Sequence, residues 1–404
     1  MRPFNRATER RLSPTLECLL GRECGPDSRI SFQEVTQAVS TLSWLFTTDR
    51  ASLPDNYLED PLLAAAYRAY FMPVNLAKMQ SLLDELPDES GLENDPSTPM
   101  TVLDVGGGPG TGALACLDRM AARQQRGVRV VSVDRSRATG RDARRLWEVY
   151  CRAAAVHSSG LELYEADLEK PQKGPVWDRI REAAPYDVIM MANCLNELFR
   201  KCADPPVRRA ALVAEVLPLL QPHGTVMIVE PALRPVTRDL HRVRDQLLRQ
   251  GACTVYSPCL HEQACPALVR ADDWCHEERP WVPPAWIQMI DREVGFIKDA
   301  LKFSYLLLRK DGRTIVQRQS DIFRVVSELR EFKGEKRAWL CNELGRSEVG
   351  RLDRKASPEN APVGEWHRGA IVQIERIVRK ERSGKTSTVG RIEHDAAVQM
   401  VRSI

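Results

Sequence analysis

The chain has 404 residues, 43% hydrophobic and 28% charged, with a formal net charge of +3. That length admits two or three domains, and that balance supports packed cores rather than global disorder. No run approaches the ~18 apolar residues of a membrane span, so no membrane partner is expected.

Residues 1–98 read as an N-terminal helical region. The start, MRPFNRATERR, is basic, but no apolar h-region follows it. Glu9 and Glu17 argue against an acid-poor transit peptide, so cytoplasm is expected ahead of the alternative, the mitochondrial matrix. In SFQEVTQAVSTLSWLF, Phe32, Val35, Val39, Leu42 and Phe46 recur at helical steps, and Ser31 with Glu34 makes a capping box. LLAAAYRAYFMPVNLAKMQSLLDEL predicts two helical segments broken or kinked at Pro73. DESGLENDPSTP (88–99) is rich in turn residues and reads as a linker.

Residues 99–312 alternate strands and helices. TVLDV (101–105), VRVVSVD (128–134), LELYEAD (161–167), YDVIMMAN (186–193) and GTVMIVEP (224–231) are separated by helical stretches. Such crossovers predict an α/β fold with a mostly parallel, doubly wound, Rossmann-like sheet. LKFSYLLLRK (301–310) reads as a strand that returns to it. From 313 to 404 short strand candidates follow one another, including IFRVVSELREF, RAWLCNEL, EVGRLDRK, AIVQIERIVRK and TSTVGRIEH. They predict a small C-terminal β-domain, an OB-like barrel or a β-sandwich. This tail carries 19 Lys and Arg against 13 Asp and Glu, a net of +6 on a body of −3. A basic tail suits a phosphate contact or simply a soluble surface.

VLDVGGGPGTG is a strand entering Gly106-x-Gly108-x-Gly110 and then a helix. Glycines there let the backbone turn sharply and approach a ligand. The dinucleotide fingerprint is G-x-G-x-x-G. The spacing here, with Asp104 ahead of it, resembles instead the first motif of class I S-adenosylmethionine-dependent methyltransferases. That resemblance implies that Asp134, ending the second strand, accepts from the ribose hydroxyls. Asp167 and Leu168, after the third strand, would meet the adenine, and Asn193 would line the cleft.

Eleven cysteines are scattered through the chain, an odd number with no export signal, so free thiols rather than a disulfide scaffold are expected. Only segment 253–276 is dense enough to suggest ligation. Cys259, Cys265 and Cys275 are three candidate ligands, and Cys253, His261, His276 or Cys341 a fourth. Zinc accepts mixed Cys and His donors, whereas an iron–sulfur cluster prefers four thiolates; residue chemistry alone puts zinc first.

LDVGGGPGTG, YDVIMMANCLNEL, GTVMIVEP, SPCLHEQACPALVRADDWCH and LKFSYLLLRK together resemble the methyltransferase-like assembly factors of the mitochondrial ribosomal small subunit and their bacterial relatives. The resemblance covers roughly residues 100–345. It implies a [4Fe–4S] cluster on four cysteines, Cys259, Cys265, Cys275 and, downstream, Cys341, in place of zinc. It also implies S-adenosylmethionine as cofactor and the ribosomal small subunit and its rRNA as partners; a monomer is expected. Methylation of rRNA is one expected activity. The alternative is a free-standing methyltransferase of a small molecule or protein, braced by a structural zinc.

No catalytic constellation is legible. The Asn/Asp-Pro-Pro-Tyr/Phe motif of base-amine methyltransferases is replaced by Asn193-Cys194-Leu195-Asn196-Glu197-Leu198. Glu197 reads as a helix N-terminal acid rather than as a base.

Overall fold

The computed structural model describes residues 9–22, 30–87, 98–122, 127–156, 159–297, 299–379, 381–382, 385–386 and 388–403. Most of the linker read at 88–99 (88–97) and the basic start at 1–8 lie outside the described residues. The chain divides into two units, Met1–Leu233 with Arg279–Leu301, and Arg234–Glu278 with Lys302–Ile404.

The first unit opens with helices α1 (Pro14–Gly21), α2 (Phe32–Thr47), α3 (Pro61–Ala66) and α4 (Met72–Leu83). The capping box of α2 is present. Glu34 N donates to Ser31 Oγ at 3.2 Å, and Ser31 N donates to Glu34 Oε2 at 2.9 Å. Two otherwise orphaned donors are thereby satisfied, and Val35, Val39 and Leu42 turn into the core. Between α3 and α4 the backbone widens into one π turn, Tyr67–Phe71, just before Pro73. The wider turn accommodates a residue that has no N–H and whose ring crowds the preceding carbonyl.

The sheet of this unit alternates β1 (Met100–Val105), α5 (Thr111–Ala122), β2 (Val128–Asp134), α6 (Arg137–Ala153), β3 (Gly160–Glu165), α7 (Pro175–Glu182), β4 (Tyr186–Ala192), α8 (Pro205–Val216) and β5 (Leu220–Pro231). Its strands run parallel in the order β3-β2-β1-β4-β5. Parallel strands covered on both faces are apolar almost throughout, and Val102, Leu103, Ile189, Met190, Val226 and Ile228 are all buried. On α6, Thr139, Ala143, Leu146, Trp147 and Tyr150 form the buried stripe, and the arginines between them face out. The strand order reverses between β1 and β4. Loops leaving neighbouring strands there diverge, and a crevice opens beyond their carboxyl ends.

The second unit contains α9 (Arg234–Arg249) and β6 (Thr254–Ser257). β7 (Glu277–Pro280) carries the chain to α10 (Ala285–Val294) of the first unit, and β8 (Ala300–Arg309) leads back. β6 and β8 pair antiparallel. Then come β9 (Ile322–Val325), β10 (Arg330–Phe332), β11 (Glu335–Asn342), β12 (Gly345–Leu352), β13 (Ile371–Ile374), the short pair β14 (Glu381–Arg382) and β15 (Lys385–Thr386), β16 (Val389–Ile392) and β17 (Val398–Arg402). Seven of these form one sheet, β16-β12-β11-β9-β13-β17 with β10 beside β11. Val325, Ala338, Leu340, Val349, Val372 and Ile392 fill its core. β17 closes one edge although its sequence, VQMVR, did not read as a strand.

Candidate functional site

The glycine loop leaves β1 at the point where the strand order reverses. Gly106, Gly108 and Gly110 all have positive φ, +72°, +51° and +87°, which side-chain-bearing residues seldom adopt. Their surroundings differ. A Cβ on Gly106 would lie 2.6 Å from the Cys194 Cβ, and one on Gly110 2.9 Å from the Ala143 Cβ. Those two glycines serve close packing within the protein. A Cβ on Gly108 would meet nothing within 4 Å among the described residues, so this glycine borders open space that a ligand can enter. Gly107, not singled out from the sequence, is the tightest: its Cβ would lie 2.2 Å from Ser132 Oγ. The unbroken GGG run was the available signal.

Asp104 is only 1% exposed, and burial pushes its carboxyl up to about 7. It lies under the loop rather than on its open side, since a Cβ on Gly107 or Gly112 would come within 2.9 Å of its Oδ2. Asp134 ties strand to loop. Its Oδ2 accepts from Gly108 N at 2.9 Å and its Oδ1 from Ser136 N at 3.0 Å. Each carboxylate oxygen retains further acceptor capacity. Leu168 is buried and would stand 3.7 Å from a Cβ on Gly106. Asp167 beside it is half-buried, accepts from Glu169 N at 3.0 Å and faces Lys170 at 3.6 Å.

Asn193 follows β4 with φ +57°, its N–H donating to Val229 O at 2.7 Å. The turn after it is heavily bonded. Cys194 Sγ donates to Val105 O at 3.2 Å, and Asn196 Nδ2 donates to Glu230 Oε2 at 2.6 Å and to Asn193 O at 3.0 Å. Arg209 donates to the carbonyls of Leu198 and Asn196. Burial pushes the Glu230 carboxyl up to about 8. Glu230 and Asn196 were missed by sequence reasoning, although an acid ending the apolar run GTVMIVEP was a visible sign. The expected role of Glu197 does not hold. Residues 195–200 are turns, and the next helix, α8, begins at Pro205 under an Asp204 cap. Glu197 is half-buried, and burial pushes its carboxyl up to about 7.

The second unit brings the four expected cysteines together. Cys259, Cys265, Cys275 and Cys341 line one cavity, with His241, His261, His276, Arg324, Arg346 and Arg368 also in its wall. Cys253 is not among the lining residues. Cys341 stands on β11 between two cationic cross-strand neighbours, Arg346 on β12 and Arg324 on β9. Its Sγ lies 3.7 Å from His261 Nε2. Burial pushes the Cys265, Cys275 and Cys341 thiols up, and the neighbouring cysteines add to it. Every cysteine among the described residues is free. No group of three or more His, Cys, Asp or Glu side chains among the described residues converges on a single metal ion.

Helix α9 holds this cavity in shape. Arg238 donates to the carbonyls of Ala267, Leu268, Arg270 and Asp273, and His241 Nε2 lies 3.1 Å from Cys275 O. Arg244, fully buried, donates to the carbonyls of His261 and Gln263. Asp245, paired with it, accepts from Cys265 N at 3.0 Å. Arg346 grips Asp273 through two contacts of 2.6 Å. Among the described residues, buried donors remain without a hydrogen-bond partner around the cavity: Arg244 Nε, Arg346 Nε and Trp274 Nε1. Thr237, His241 and Arg244 fall on the buried face of α9. That polar row at steps of four and three on an apolar stripe was legible in the sequence and was overlooked. A donor set of four thiols ringed by arginines and unspent N–H groups suits an anionic, thiolate-held group, because buried charge needs both counter-charge and hydrogen bonds.

Among solved structures, the chain is similar to an O-methyltransferase family protein of Burkholderia thailandensis. That match has 16% identity and a TM-score of 0.35, covering 73% of this chain and 76% of that one. A candidate class I S-adenosylmethionine-dependent methyltransferase of Listeria monocytogenes matches at 13% identity and a TM-score of 0.35, covering 73% and 87%. Scores this low carry no argument. No curated protein matches the chain. The family model described as mitochondrial small ribosomal subunit Rsm22 matches residues 61–351, which include the glycine loop and all four cavity cysteines. The chain belongs to the Rsm22 family.

Proposed function

We propose that the protein is an assembly or maturation factor of the ribosomal small subunit that binds S-adenosylmethionine in its first unit and a [4Fe–4S] cluster in its second. The observation that carries this reading is that one family match, named for the small ribosomal subunit, spans both sites. The word mitochondrial in that name favours the matrix over the cytoplasm as its place of action.

At the first site, Gly108 leaves room for the cofactor against the backbone. Asp134 offers acceptor capacity for paired hydroxyls, and Leu168 with Asp167 suits an adenine edge. S-adenosylmethionine would supply a methyl group already activated by its sulfonium, so the protein's task there is mainly positioning. At the second site, Cys259, Cys265, Cys275 and Cys341 would hold the cluster, with Arg244 and Arg346 offering charge and N–H groups. A tetrahedral zinc asks four donors to converge on one point, whereas a cluster takes one thiolate on each of four irons. Four thiols spread over a cavity wall favour the second. The basic tail supports contact with rRNA phosphates.

In cells lacking the protein, immature small subunits should accumulate while large subunits remain normal, as sucrose gradients would read. An unchanged subunit profile contradicts the proposal.

A further inference from the structure

The turn after β4 satisfies nearly every polar group it carries, with one exception. Asn193, Cys194, Asn196 and Leu198 are all engaged in hydrogen bonds. The Glu197 carboxylate in their midst has no hydrogen-bond or ion-pair partner among the described residues, and it keeps partial access to solvent. Leaving such a group unspent in dense surroundings is costly unless something else uses it.

What surrounds Glu197 indicates what that is. Asp134, which binds the glycine loop, is within its electrostatic range, as are Arg50, Arg135 and Arg200. The hydroxyls of Tyr57 and Tyr67 feel its charge as well. Tyr57 packs edge-on against Phe46 at 5.5 Å, and Tyr67 stacks on Phe71 at 6.1 Å. The Tyr57 hydroxyl, like Glu197, has no hydrogen-bond partner among the described residues.

The segment bearing Tyr57 is fastened to both loops of the crevice. Arg200 donates to Arg50 O at 2.8 Å and to Asp55 Oδ1 at 3.1 Å, and Arg135 donates to Asp55 O. Arg50 donates to Asn196 Oδ1, and Ser136 Oγ donates to Glu59 Oε1 at 3.3 Å. Residues 50–59 therefore form a fixed wall.

We infer that Glu197, Tyr57 and Tyr67 form an acceptor pocket for a planar base presenting an N–H donor, the exocyclic amine of a nucleobase. The inference rests on the cofactor reading of the neighbouring glycine loop and names the substrate class for it. A carboxylate accepts from an amine, as it does from the amino group of cytosine. Aromatic side chains stack on a flat base and not on an aliphatic chain. Three arginines nearby repel a lysine-like ammonium and attract a phosphate backbone. In the same pose the O4 of uracil or the O6 of hypoxanthine, standing where the amine was, would face the carboxylate lone pair to lone pair, and their ring N–H would reach it only after the base shifts.

The test is calorimetry on the full chain with S-adenosylhomocysteine present, at about pH 8.5 so that the raised Glu197 carboxyl is ionised and accepts only, titrating CMP and AMP against their deaminated counterparts UMP and IMP. The amino nucleotides should bind at least about tenfold more tightly, a cost typical of leaving a buried polar group unpaired. Glu197→Ala should erase that preference while S-adenosylhomocysteine still binds, and Tyr57→Ala should weaken all four nucleotides alike. Equal binding of both pairs, a preference that survives Glu197→Ala, or no nucleotide binding beside bound S-adenosylhomocysteine overturns the pocket alone. Failure of S-adenosylhomocysteine itself to bind removes the cofactor reading and this inference together.

Discussion

At the scale of single residues, the glycine loop separates packing from ligand contact. Gly106 and Gly110 are pressed against Cys194 and Ala143, whereas Gly108 borders open space. Gly108→Val should therefore abolish S-adenosylmethionine binding while thermal unfolding stays cooperative; calorimetry with unchanged affinity would exclude this loop as the site. Asp134→Ala should weaken binding by about 1–3 kcal/mol, since charge-assisted hydrogen bonds to the ribose would be lost. Glu230 gives a pH signature. Burial raises its carboxyl from an ordinary 4.5 to about 8. A raised acid is harmless while protonated and destabilises the fold once it must ionise, so its effect grows as pH rises from 4.5 through 8. Denaturant unfolding of Glu230→Gln should match the parent near pH 4.5 and gain on it by pH 9. A difference that is flat across that window would show that Glu230 is not held in its neutral form.

At the scale of elements, what the sequence revealed depended on how local the cause was. The capping box of α2, the disturbance at Pro73 and the five parallel strands follow from neighbours in the chain, and all were legible. β17 was not, because its residues alternate weakly and its strand form depends on pairing with β13. Glu197 was misread because an acid in the loop that leaves a strand looks like the start of the next helix; the turn that in fact holds it is built by Asn196, Glu230 and Arg209. The cavity cysteines were visible in the sequence, but the service of α9 to them was not, since Arg238, His241 and Arg244 act through carbonyls more than 15 residues away. If these thiols hold a cluster, metal binding is coupled to folding of the second unit. Cys265→Ser should remove iron from anaerobically purified protein and make residues 302–404 more open to limited proteolysis. Full iron content in that variant would remove Cys265 from the ligand set.

At the scale of the whole molecule, the basic tail is the feature expected to meet rRNA. Arg376 is exposed, Arg379 is half-buried and donates to Thr388 O at 2.8 Å, and Lys380 lies outside the described residues. Arg376 is paired with exposed Asp395 at 2.6 Å, a contact of little energetic weight that does not prevent it from meeting phosphate. Reversing both arginines to glutamate should lower affinity for small subunits and flatten its salt dependence, because each lost phosphate contact releases fewer counterions. The most direct test of the central claim is sedimentation of the anaerobically purified full chain with isolated small ribosomal subunits across salt. The chain should pellet with small and not with large subunits at about 50 mM salt, and lose affinity steeply, by orders of magnitude, towards about 200 mM. A chain that stays in the supernatant at low salt, or that pellets equally with both subunits, would contradict a role as a small-subunit factor.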